Sequence, residues 1–476
     1  MAPSLALHSA TRIALGLAVC SAASLLRAAQ AGTLRVDEDG LSIPQRLPSM
    51  VLLAVGLLIA VVPYLRLLRG AAPTLAEIDR GVPWIHLAAA LALPFSSNDI
   101  FSNLAYGHML QLGKNPYLAG PLALGSGDPF VALVGQRWQR EPLVYGPLLG
   151  LLNGAVVLLG RPLFAMIGFK LLMLAVCLVG LRLCRSAAQA ALGEDTLAAR
   201  AAFCTVAWNP LLAWDVSGQA HNDGVLFLFL AAALAALYRG LVVRGALALA
   251  AAFFSKFAVA PLLGLWLLVT ARRSPLRAGL LLLLVLAVGA LCYAPLYAGI
   301  ATLRGPLTAG GVAPERLNGS FLQLVYDLTE LFSKDLAATL LRGAAALIGL
   351  GLLLLALRLV ARAVDLRSAV RGALVFTLAY NLLGAAWWQP WYLLWLLPLC
   401  AVEPDDDLRR LCALYTVLGL SHYVLDSSYL PFPQIHLPIL VLAQRLSSRR
   451  RGLGSALGPA GLARAADSAG SPPALR

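Results

Sequence analysis

Residues 96–145 read SSNDIFSNLAYGHMLQLGKNPYLAGPLALGSGDPFVALVGQRWQREPLVY. In the first two thirds of the chain no longer interval lacks an apolar run able to span a bilayer. It nevertheless carries Asp99, Asp128, Glu141, Lys114, Arg137 and Arg140 among Tyr, Asn and Trp side chains. On either side the chain becomes blocks of Leu, Ala and Val. A chain made to dissolve in lipid keeps polar chemistry here, so the stretch is expected to form one wall of a site at the non-cytoplasmic end of a helical bundle.

Working outward, 60% of the 476 residues are apolar and 13% are charged, with a mean hydropathy of +0.79. These values, with many separate runs of near-spanning length, exclude a soluble globular protein. Spans must satisfy their backbone hydrogen bonds internally, and the runs are continuous blocks and not alternating strands. The expected fold is therefore an all-α polytopic membrane protein with about 11–13 crossings. The net charge of +14 lies in short clusters between apolar runs and in the tail, where it orients spans; no nucleic-acid partner is implied. The seven cysteines sit in or beside apolar segments with no CxxC, and read as small core residues. The run Ile13–Leu26 after Arg12 resembles a signal peptide, but Val51–Leu68 follows soon after, and an uncleaved first span is expected.

Lys and Arg clusters place residues 30–47, 96–145, 299–335 and Trp387–Trp391 outside, and the loops around Arg66, Arg358–Arg371 and Arg409 inside. The counts from the two ends agree only if one segment between 143 and 277 fails to cross. Segment 143–160 is expected to be interfacial or to double back. Segment 244–270 is expected to be a re-entrant hairpin of two half-helices with Ser255-Lys256-Phe257 at its outer tip. Ser320 to Gln323 has a capping-box pattern opening an amphipathic surface helix. Residues 1–446 thus form one membrane domain, and 447–476 a disordered basic cytoplasmic tail.

Several residues could carry chemistry. Asp99 stands at the exit of a span, where partial desolvation would raise its pKa toward that of a general base; Ser-Ser-Asn-Asp is equally a helix start. His221-Asn222-Asp223 precedes a span and is open to the same capping explanation. A divalent metal near Asp99 and Asp223 is the one cofactor the sequence raises. Lys256, flanked by Phe253-Phe254 and Phe257, either snorkels outward or meets an anion such as a phosphate. Lys114, Arg137 and Arg140 offer further cations. Trp387, Trp388, Trp391 and Tyr392 read first as an interfacial aromatic belt, although with Gln389 they would also suit a sugar ring or prenyl chain.

Taken in order, Asn98-Asp99-Ile100-Phe101, Tyr106-Gly107, Gly113-Lys-Asn115-Pro116-Tyr117, Tyr145-Gly146-Pro147, Trp208-Asn209-Pro210, Gly218-Gln-Ala-His221-Asn222-Asp223 and Gln389-Pro390-Trp391-Tyr392 resemble the polyprenol-phosphate-mannose-dependent mannosyltransferases. These are polytopic enzymes of the C-type glycosyltransferase superfamily, and the resemblance covers about residues 85–400. It implies a sugar carried on a polyprenyl phosphate, a lipid or glycan acceptor, and an active site facing away from the cytoplasm, as in a bacterial inner membrane. It also implies a first-loop acid acting on the acceptor, matched by Asp99, and a second outer acid, matched by Asp223. Lys256 is the candidate for stabilising the leaving phosphate, with Arg137 or Arg140 as substitutes. The remaining candidate substrate contacts are Asn98, Tyr106, Asn115, Tyr117, Tyr145, His221, Asn222, Trp388, Gln389 and Trp391. The chain departs from the pattern at Phe101 and His108.

A transporter or flippase of a lipid-linked or anionic substrate would use the same Asp99, Asp223 and Lys256 to line a path. Such proteins more often show inverted repeats and charges near the midplane. Here no repeat is evident and the ionisable residues cluster toward one face, which favours the enzyme.

Overall fold

The computed structural model describes residues 5–34, 40–94, 97–303, 312–425 and 432–448. Ser96, part of the 299–335 loop and the tail expected to be disordered from 449 onward lie outside the described residues. The regular secondary structure of the described residues is helical apart from one isolated parallel bridge, Asn318 to Trp387. Five helices are long and apolar enough to cross a membrane: Ala6–Ala31, Ile43–Arg69, Pro162–Leu192, Pro275–Leu296 and Lys334–Arg362. Shorter apolar helices include Asp223–Tyr238 and Val242–Ser255. The fold is therefore a polytopic membrane helical protein. At 1.5 Å per residue those shorter helices reach only about 21–24 Å, below the ~30 Å hydrocarbon thickness.

Small residues let the helices approach. A Cβ on Gly16 would stand 2.5 Å from the Gly56 carbonyl oxygen, and one on Gly56 would stand 2.7 Å from the Gly16 carbonyl. Close backbone contact of this kind replaces the hydrophobic drive that lipid removes. All seven cysteines are free, and every one except Cys292 is buried, in keeping with their reading as core residues.

Two ends of the bundle can be told apart. At one, Arg239 bonds Ser186 Oγ, Arg272 bonds the Ala363 carbonyl, and Arg367 reaches the Ala191 carbonyl at 3.3 Å. At the other lie Asp99, Asp223 and Lys256. Segment 244–270 breaks as expected at Lys256, whose backbone is extended (φ −156°, ψ 128°) between Val242–Ser255 and Ala260–Arg273. The limbs are 14 residues each, close to the 16 of Asp223–Tyr238. Arginines flank the far ends of both limbs, Arg239 before the first and Arg244 in its first turn, Arg272 and Arg273 at the end of the second. Pro147–Val157, at 11 residues, is about 17 Å long, short of the ~30 Å hydrocarbon thickness.

Ser320 caps the helix Phe321–Glu330 by accepting from Gln323 N at 3.0 Å. Gln323 Oε1 returns to Gly319 N at 2.6 Å, one residue before the position a capping box would use. Just upstream, Asn318 N donates to the Ala386 carbonyl at 3.0 Å and Trp388 N to the Asn318 carbonyl at 2.7 Å. The segment around Asn318 is thereby fastened to the segment entering Gln389-Pro390.

Candidate functional site

Asp99 is the first residue of the helix Asp99–Gln111, and Asn98, at the cap position, makes no side-chain capping bond. Ser97 Oγ accepts from Asp99 N at 3.1 Å. The carboxylate instead faces Tyr145, whose hydroxyl donates to Oδ2 at 3.4 Å, and His221, whose Nδ1 lies 3.8 Å from the same oxygen. Its side chain is 27% exposed. Burial pushes the Asp99 carboxyl above its ordinary value, and the Lys256 charge pulls it partly back.

His221 is turned toward Asp99 by a strained corner. Ala220 before it adopts φ 57°, the one positive φ outside glycine among the described residues, and such a backbone persists only where its surroundings enforce it. His221 N donates to the Asp215 carbonyl at 2.9 Å, while Lys170 Nζ bonds the Gly218 carbonyl. The imidazole stacks on Trp391 with centroids 4.0 Å apart, and neither ring nitrogen has a hydrogen-bond partner. Burial, aided by the Lys256 charge, pushes its pKa down to about 3. A neutral ring makes no ion pair with Asp99, so it offers one donor and one acceptor to a guest.

Lys256 neither snorkels nor stands free. Its Nζ meets both oxygens of fully buried Asp223 at 2.8 and 2.7 Å, and Asn222 Oδ1 at 3.3 Å. The rings of Tyr145, Trp395 and Tyr392 surround it at 4.9, 5.7 and 5.8 Å, a desolvated cation–π setting. Gly146 makes this possible: its N donates to the Ser255 carbonyl at 3.0 Å, and a Cβ there would fall 2.0 Å from the Phe254 carbonyl oxygen. Trp395 Nε1 donates to Asp223 Oδ1 at 2.5 Å. Tyr392 and Trp395 stack at 4.5 Å because Pro390–Leu396 is a 3-10 helix, in which residues three apart eclipse.

The aromatic-belt expectation for 387–392 is thus overturned for its inner members. Trp391 is 7% exposed and walls the site with Tyr392. Trp388 is fully buried, edge-on to His436 at 4.6 Å and stacked near Tyr415, so its expected place in the site is corrected to the core. Gln389 is 8% exposed and precedes the 3-10 turn. Asn98 is buried. Three other candidates fold the loop and do not face the site. Tyr106 donates to the Glu141 carbonyl at 2.8 Å, Asn115 to the Leu296 carbonyl at 2.5 Å, and Tyr117 to the Tyr145 carbonyl at 2.7 Å. Arg137 lies over Trp387 at 4.5 Å and donates to the Glu315 carbonyl at 2.5 Å. Arg140 is exposed. Lys114 bonds the Ala123 carbonyl. His108, unusual beside Tyr106-Gly107, pairs with Asp128 at 3.2 Å and stacks on Phe130.

The residues do not form a divalent-cation cradle. Both Asp223 oxygens are taken by an ammonium, and no cluster of three His, Cys, Asp or Glu side chains able to hold a metal occurs among the described residues. Trp395 escaped the sequence reading because it sits inside an apolar run; its three-residue spacing from Tyr392 was the available signal. Lys256 lines a cavity of about 500 Å³ together with Tyr145, Tyr392 and Trp395 and with apolar Phe257, Pro261 and Phe376.

The alpha-(1->6)-mannopyranosyltransferase N-terminal domain family matches residues 11–272. An alpha-(1->6)-mannopyranosyltransferase of Mycobacterium tuberculosis is 27% identical over 161 residues, 33% of this chain and 26% of that protein. A Mycolicibacterium smegmatis protein designated a probable alpha-(1->6)-mannopyranosyltransferase is 25% identical over 172 residues, 35% of this chain and 30% of that one. The alignments thus cover less than a third of either relative. No solved structure matches. With the family's domain aligned over more than half of its length, the chain belongs to the alpha-(1->6)-mannopyranosyltransferase family.

Proposed function

We propose that this chain is a membrane mannosyltransferase. It moves mannose from a polyprenyl-phosphate donor to a hydroxyl of a lipid or glycan acceptor on the non-cytoplasmic face, with Asp99 as general base. The observation that carries the reading is the juxtaposition of a partly exposed carboxylate whose pKa is raised (Asp99) with a caged ammonium (Lys256) that lines a largely apolar cavity. In the transfer, the acceptor oxygen bonds to the anomeric carbon as its proton passes to Asp99. The anomeric carbon to phosphate-oxygen bond breaks, and its electron pair stays with the polyprenyl phosphate. A base near the acceptor and a cation near the leaving oxygen are what such a step requires. Neutral His221, against Trp391, is suited to hold sugar hydroxyls.

The test offers membranes containing the protein either polyprenyl-phosphate [14C]mannose or a nucleotide-linked [14C]mannose, with native acceptors present. Label leaving the lipid donor supports the reading. Direct use of the nucleotide sugar, with the lipid donor inert, overturns it.

A further inference from the structure

The Lys256 ammonium is already matched by a carboxylate: Asp223 holds it with both oxygens. That pair presents little net charge to a phosphate, which must find a second cation. Arg316 lines the same cavity as Lys256. Its segment is fixed rather than trailing. Pro314–Arg316 forms a 3-10 turn whose Glu315 carbonyl accepts from Arg137, and Asn318 two residues on is bridged to Trp387, another wall of the cavity. The rest of the lining includes Phe257, Ala258, Pro261 and Phe376 from the helices below, a surface for hydrocarbon.

We propose that Arg316 is the second phosphate-binding cation of the site, holding the polyprenyl phosphate together with Lys256 while the isoprenoid lies along the apolar wall. The assignment rests on the donor reading proposed above. Arg316 lies beyond residues 11–272, the part matched by the family's domain, so this contact belongs to the C-terminal part of the chain. Its role is strongest after transfer. Breakage of the bond to the sugar turns a phosphodiester with one negative charge into a monoester with up to two, and a planar guanidinium pairs with two phosphate oxygens at once.

The experiment measures binding of a short-chain polyprenyl phosphate and of the uncharged polyprenol to the purified full chain in nanodiscs, with inorganic phosphate as a competitor. It compares wild type, Arg316→Gln, Arg316→Lys and Arg342→Gln, the last an exposed arginine on the helix Lys334–Arg362. Wild type is expected to prefer the phosphate over the alcohol. Arg316→Gln should lose about tenfold or more of its affinity for the phosphate alone, the effect of one charge-assisted contact. Arg316→Lys should recover part of it, and Arg342→Gln should match wild type. If wild type binds the polyprenol as well as the phosphate, the donor reading itself fails. If wild type discriminates but Arg316→Gln does so equally, the donor reading stands and the Arg316 assignment is wrong. Displacement by inorganic phosphate at concentrations similar to the lipid would show a free-anion site and overturn the lipid-headgroup assignment.

Discussion

Replacing Lys256 by methionine separates what the Lys256–Asp223 pair does for the fold from what it does for the reaction. Asp223 is 0% exposed and Lys256 12% exposed at its side chain, so removing the ammonium leaves a carboxylate buried with Trp395 Nε1 and little else to hold it. Breaking a buried pair from one side costs about 3–5 kcal/mol, whereas replacing both partners by neutral groups of similar volume is often close to neutral. Lys256→Met should therefore unfold well below wild type in detergent, and the double variant Lys256→Met/Asp223→Asn should recover most of the loss. Thermal unfolding followed by Trp fluorescence, with transfer assays on the same preparations, reads both quantities. Stability should return in the double variant without activity. A Lys256→Met protein as stable as wild type would refute the buried pair. Full activity in the double variant would make the pair a scaffold only.

Other outcomes follow from the same geometry. Asp99→Asn should lose about 10²–10⁴-fold in kcat/KM. It should gain stability at neutral pH, because a carboxyl raised in the folded state opposes folding once pH exceeds its unfolded value. For the same reason the acid limb of the pH–rate profile should lie above the ordinary carboxylate value of 3.8, with activity rising as pH rises through it. Tyr145→Phe removes a donor to the ionised form and should move that limb higher still. No limb should appear near 6.5, since His221 stays neutral down to about pH 3. Gly146→Ala should be strongly destabilising, as its Cβ meets backbone, while Gly127→Ala, with nothing within 4 Å, should be tolerated; thermal unfolding compares them.

Much of this site was legible in the sequence because it is made of charges that lipid makes costly. Asp99, His221, Asp223 and Lys256 each stood out against apolar surroundings, and the break at Lys256 was visible as a lysine that two arginine-flanked limbs had to carry outward. What escaped was how they pair. From the sequence Lys256 reads as snorkelling or binding an anion, and nothing in spacing alone joins it to Asp223, 33 residues earlier. Trp388 and Trp391 illustrate the same limit: three residues apart, one is in the core and the other against His221. The 3-10 winding of Pro390–Leu396 fixes which ring faces which, and a Trp-rich run at a membrane boundary carries the signature of an interfacial belt whichever way it winds. Tyr106, Asn115 and Tyr117 carried the family pattern yet hold the loop by bonds to carbonyls, a role that motif order does not distinguish from substrate contact.

The central claim is that Asp99 activates the acceptor for sugar transfer from a lipid-linked donor. Its most direct test is transfer of [14C]mannose from a short-chain polyprenyl-phosphate mannose in membranes holding matched amounts of wild type or Asp99→Ala. Wild type should give labelled product and Asp99→Ala should not. Equal labelling by both proteins would contradict it.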